Sequence, residues 1–228
     1  MKILHMLIAL LSTSSAMAIQ IDSMSIFLGP QKNMATQHIS NPSATAHLVT
    51  IKVDKIASPY SMSPLHISEN EREEITFTPA RILQPAGNDN FVKFYYNGPH
   101  DDQERYYRVT WLDDPLSENG KNSAEKTATL HAIASIGTVL VVAPRIANFS
   151  YKYQAGELKN TGNISFRMVA YGPCKKGNKS KNICHVDGPV GPGKVFSFKT
   201  IDMTDSNAHL GVWEGKQLIP VDLINANT

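Results

Sequence analysis

Eight histidines, at positions 5, 38, 47, 66, 100, 131, 185 and 209, are the first place to look for chemistry in this 228-residue chain. A zinc peptidase needs two of them one helical turn apart in the pattern H-E-x-x-H, and no pair has that spacing. The serine nucleophile elbow, G-x-S-x-G, is also absent. Asp101-Asp102 and Asp113-Asp114 offer the paired carboxylates of a glycosidase. Both pairs follow strand-like segments beside Gly or Pro, so they read as solvated turns. Residues 188–194, GPVGPGK, have the G-x4-G-K spacing of a phosphate loop. Val195 stands where a metal-binding hydroxyl belongs, and Pro189 and Pro192 remove amides from any phosphate cradle. This segment reads as a turn between strands. The triplets at Asn148, Asn163 and Asn178 match the glycosylation sequon and carry no argument alone. No catalytic set, metal or cofactor is expected.

The remaining reactive side chains are Cys174 and Cys184, ten positions apart in YGPCKKGNKSKNICHVDG. Their state depends on the compartment, which the N-terminus addresses. Residues 1–18, MKILHMLIALLSTSSAMA, combine Lys2, an apolar run and an A-x-A ending, the parts of a secretory signal. The apolar run is too short to cross a bilayer. In an oxidising compartment the two thiols most simply form a disulfide that closes a lysine-rich loop. A metal site is the alternative, with His185 adjacent, but it would need a fourth ligand. Net charge is +2, with 22 basic against 20 acidic side chains, which argues against nucleic acid or an anionic membrane surface as partner.

The elements that must position these residues are strands. Val49, Ile51 and Val53 alternate with Thr50, Lys52 and Asp54, the period of a half-buried strand. FVKFYY (91–96), YYRVTWL (106–112), ISFRMVAY (164–171) and VFSFKT (195–200) are rich in β-branched and aromatic residues. Residues 123–136 have some helical propensity, but they run unbroken into GTVLVV. The preferred reading is one long strand over 128–142. It ends at Ala143-Pro144-Arg145, which divides the mature chain into 19–145 and 146–228. Many short strands in two halves predict an all-β protein of two immunoglobulin-like sandwiches.

The segment 75–111, ITFTPARILQPAGNDNFVKFYYNGPHDDQERYYRVTW, resembles the periplasmic pilus chaperones of the PapD-like family. The turns at 38–42 (HISNP) and 159–163 (KNTGN) resemble the same family. ERYYR (104–108) and the segment 136–145 are most similar to its common-pilus branch. The resemblance covers essentially the whole mature chain. It implies a boomerang of two immunoglobulin-like domains, without enzymatic activity, that caps pilin subunits in the periplasm and delivers them to an outer-membrane usher. The long strand of 19–145 would be the donor, with Leu130, Ala132, Ala134 and Ile136 facing the pilin. Glu104 and Arg105 would orient one domain against the other.

Typical members of that family clamp the pilin carboxylate with an Arg on the first strand and a Lys on the donor strand. Counting from Asn41 and Pro144 puts these positions at Ser25 and Val139, neither of them basic. Nearby basic residues are Lys52, Lys93, Lys126 and Arg145. The alternative reading is a secreted immunoglobulin-like pilus subunit or adhesin.

Overall fold

A computed structural model describes residues 18–61, 63–66, 68, 71, 73–116, 132–175 and 183–223. Sixteen strands make up the elements among the described residues: β1 (Gln20–Ile21), β2 (Ser25–Leu28), β3 (Met34–Ser40), β4 (His47–Ile56), β5 (Ile75–Thr78), β6 (Arg81–Gln84), β7 (Asp89–Tyr96), β8 (Arg105–Pro115), β9 (Ala134–Val142), β10 (Tyr151–Gln154), β11 (Glu157–Asn160), β12 (Phe166–Pro173), β13 (Ile183–Val190), β14 (Val195–Ser197), β15 (His209–Glu214) and β16 (Gln217–Pro220).

The first nine strands form two sheets, ordered β1-β3-β7-β5 and β2-β9-β8-β4-β6. Period-two alternation sends one row of side chains from each sheet into a shared core. Tyr107, Val109 and Trp111 of β8 and Val49 and Ile51 of β4 meet Ile39, Val92 and Phe94 of the facing sheet. Trp111 packs edge-on to Phe94, with ring centroids 6.3 Å apart, and its indole N–H donates to Thr138 Oγ1 at 3.0 Å. That bond satisfies a polar group that would otherwise be costly at zero exposure. The later strands form a second pair of sheets, β10-β11-β14 and β13-β12-β15-β16, around a separate core that includes Leu158, Met168, Ile201 and Val212.

One buried asparagine staples a turn in each sandwich. Asn41 Nδ2 donates to the carbonyls of Thr45 and Gln84, and Asn160 Nδ2 to those of Ile164 and Val190. Both residues lie in the turn-like segments that the sequence marks. His38, Ile39 and Ser40, however, belong to β3, and Lys159 and Asn160 to β11, so the turns begin at Asn41 and after Asn160.

Three further expectations change. The strand anticipated over 128–142 begins at Ala134, and Ala132 and Ile133 precede it outside any strand. Residues 117–131, Leu130 and Lys126 among them, lie outside the described residues, as do signal residues 1–17. Asp113 is no solvated turn residue: it lies inside β8 at 1% exposure, because the alternation of that strand points it inward with Trp111. Within GPVGPGK, Gly188-Pro189-Val190 ends β13, and the turn occupies only the residues after it.

Candidate functional site

Strand β9 is covered on one side along its whole length, pairing antiparallel with β8 from Ala134↔Asp113 to Val142↔Arg105. On its other side the parallel partner β2 reaches only Val139–Val142. Among the described residues, nothing pairs with residues 134–138 on that side. Val139 and Ala143 donate their N–H groups to the carbonyls of Met24 and Leu28. By strand alternation the N–H groups of Ser135 and Gly137 point the same way, into the uncovered edge. Unpaired donors and acceptors in a row are a template for another strand. Apolar side chains flank it: Met24 is 59% exposed, Phe27 51% and Ile133 60%.

The two faces of β9 differ. Ala134 and Ile136 share a face with the buried Thr138, Leu140 and Val142, and Ile136 packs against the core of the first sandwich. Ile133 and Ser135 lie on the opposite face and are exposed. Ala132 is exposed and lines a cavity of about 640 Å³ together with Ile133, Ala134 and Pro115.

Ser25 and Val139, the positions reached by counting from Asn41 and Pro144, are direct partners across β2 and β9. The row continues through Arg108 of β8 to Asp54 of β4. A guanidinium therefore stands one strand further in on the same face, with Nη2 donating to the Ser61 carbonyl at 2.7 Å. Sequence reasoning missed Arg108, because only the pairing of β8 with β9 brings it beside Val139. Of the basic residues near the strand, Lys52 and Lys93 are exposed. Arg145 is instead buried, donating to the carbonyls of Gly29, Pro30 and Lys32, with its guanidinium 4.5 Å over the Tyr96 ring.

Glu104 and Arg105 part company. Glu104 reaches the second sandwich, where its carboxylate accepts from the Ser165 N–H and hydroxyl. Arg105 turns into the first, forming a two-pronged pair with Asp101 at 2.7 and 2.6 Å. That hydrogen bond is the main reason the Asp101 carboxyl is held below its ordinary value. Asn163 joins the same junction, donating to the carbonyls of Ile146 and Asp102. Gly162 is confined there: a Cβ would meet the Asn148 carbonyl oxygen at 2.1 Å. A cleft of about 640 Å³ beside the junction is lined by Tyr60, Glu104, Tyr106, Ser165 and Phe196. Cys174 and Cys184 form a disulfide, with Cα atoms 5.0 Å apart, that ties the end of β12 to β13.

Two sandwiches joined in this way define the fold of the two-domain immunoglobulin-like chaperones. The crystal structures of the class 5 fimbriae chaperone CfaA (17% identity) and of the periplasmic chaperone SfaE (10%) each match with a TM-score of 0.51. Both cover 89% of this chain, and 97% and 98% of their own. A family model for the EcpB C-terminal domain matches residues 149–221. The chain is 36% identical over 219 residues to the "Probable fimbrial chaperone EcpB" of Escherichia coli strain SMS-3-5, covering 96% of this chain and 98% of that one. It is 36% identical over 208 residues to the protein of the same name from Shigella boydii serotype 4, covering 91% and 93%. The chain belongs to this family of fimbrial chaperones, which are not enzymes.

Proposed function

We propose that this chain is exported to the periplasm on residues 1–18, caps pilin subunits by lending them a strand, and passes them to an outer-membrane usher. The observation that carries the reading is the uncovered edge of β9 at residues 134–138, flanked by exposed Met24, Phe27 and Ile133. A subunit that lacks a strand presents the complementary edge and an apolar groove. Adding β9 would satisfy both through backbone hydrogen bonds and alternate side chains. In this reading 19–145 is the donor domain and 146–228 the second domain. The donor segment runs from Leu130 through Ala132 and Ala134 to Ile136, where the strand becomes committed to its own core. Arg108, across from Val139, takes the role of the pilin carboxylate's counter-charge that a basic residue at 25 or 139 would otherwise fill.

The test is periplasmic co-expression with the pilin of the same gene cluster, followed by pull-down. Pilin is expected to accumulate and co-purify with the chaperone, and Arg108→Ala to weaken capture at least tenfold in a folded chain. Equal pilin accumulation without this protein would overturn the reading.

A further inference from the structure

The backbone nitrogen of Ile19 is buried, and it donates to Asp113 Oδ2 at 3.0 Å across 94 residues of chain. The Ile19 side chain sits in the first core at 4% exposure, so this nitrogen is held in place. The other oxygen of Asp113 lies 2.6 Å from His47 Nδ1, and His47 Nε2 lies 2.9 Å from Ser43 Oγ. Ser43, His47 and Asp113 thus have the atom order of a hydrolytic relay. The Ser43 hydroxyl, however, lies 2.6 Å from Asn41 Oδ1 and 2.9 Å from the Thr45 carbonyl, acceptors that hold its proton within the turn. The cluster is therefore read as an electrostatic joint, not a nucleophile.

We propose that removal of residues 1–18 completes this joint: Ile19 becomes the first residue, and its α-ammonium joins His47 as a buried counter-charge of Asp113. The inference rests on the reading of residues 1–18 as a cleaved signal. A carboxylate at 1% exposure needs hydrogen bonds and a compensating charge. His47 Nδ1 already faces this carboxylate at 2.6 Å, within ion-pair distance, and an amide at Ile19 adds only a neutral donor. An α-amino group with a pKa of about 7.7–8.0 supplies a positive charge at neutral pH, at a position already within ion-pair distance. Asp113 is also the Cα partner of Ala134, where β9 begins. Ala18 lines the cavity it shares with Ile133 and Ala134. Processing therefore creates the charge and vacates space beside the open edge in one step, so that the chaperone is fully assembled only after export.

The test compares mature chains beginning at Ile19 or retaining Ala18 as first residue, each with Asp113 intact or as Asp113→Asn. The chain beginning at Ile19 is expected to melt about 5 °C or more above the other at low ionic strength, with no difference in the Asp113→Asn background. If Asp113→Asn fails to fold, α-acetylation of the chain beginning at Ile19 must lower its melting temperature to that of the chain retaining Ala18. Equal melting of the two chains with Asp113 intact, or acetylation without effect, overturns the ion pair. The intact mass of the exported protein separately decides the signal reading: a start at Ile19 supports the coupling to processing, and any other start overturns it.

Discussion

Glu104 in the first sandwich holds Ser165 in the second. Its Oε2 accepts the Ser165 backbone N–H at 2.6 Å and its Oε1 accepts the Ser165 hydroxyl, 61 residues away in the chain. The Tyr106 hydroxyl adds a third donor at 2.5 Å. Burial first, and this bond second, push the Tyr106 phenol above its ordinary value. Replacing Glu104 by Ala leaves three donors at the junction without their acceptor. The expected cost is about 1–3 kcal/mol, typical of hydrogen bonds to a charged group. Thermal melting measures it, and small-angle scattering should show a wider spread of inter-sandwich angles. No change in either would make the contact incidental.

Proline separates the edge of β9 from its core face. Proline lacks an N–H and is tolerated where that group faces away from the ladder. Ser135→Pro removes a donor on the uncovered side of β9 without touching the bonds to β8. The expected result is a folded chaperone with an unchanged melting temperature and pilin capture reduced at least tenfold, while Ser135→Ala captures normally. Capture by Ser135→Pro at the wild-type level would exclude strand addition at this edge.

The disulfide secures only the second sandwich. Cys174 packs against that core and Cys184 is part of it. Replacing both by Ser is expected to lower stability by about 2–3 kcal/mol in the chain-entropy description. Denaturant unfolding of the reduced and oxidised protein measures the difference. Pilin specificity should remain, because no residue of the β9 edge touches the bridge.

Acid should loosen the Asp101–Arg105 pair. The guanidinium hydrogen bond lowers the folded-state value of Asp101 from its ordinary 3.8. A depressed carboxyl binds fewer protons folded than unfolded, so its contribution is complete above about pH 4 and is lost as pH falls through the lower folded value. Melting curves from pH 6 to pH 2 should show the wild type losing stability more steeply than Asp101→Asn below pH 4. Parallel curves would mean that the pair contributes nothing to acid sensitivity.

The strands were legible because their signal is local. Alternation in β4 and the aromatic runs of β7 and β8 announce half-buried strands within each segment, so the all-β class needs no tertiary information. The segments around Asn41 and Asn160 and the cysteine pair were legible because turn signals and the compartment mark them, but each asparagine also reaches a distant carbonyl, Gln84 or Val190, that only the fold brings near. Counting from Asn41 and Pro144 even found Ser25 and Val139, which the structure places directly opposite each other. What the sequence left open depends on contacts between distant segments. Asp113 reads as a turn carboxylate beside Asp114 and Pro115. It is buried because Ile19 and His47, 94 and 66 residues away, converge on it with donors. The long apolar run that ends at Val142 does not show where β2 stops covering it, and that limit alone creates an open edge. Arg108 and Glu104 likewise took on their positions only when β8 paired with β9 and the second sandwich docked. Charge and hydrogen-bond partners are properties of a folded neighbourhood, whereas hydrophobic period is a property of the chain.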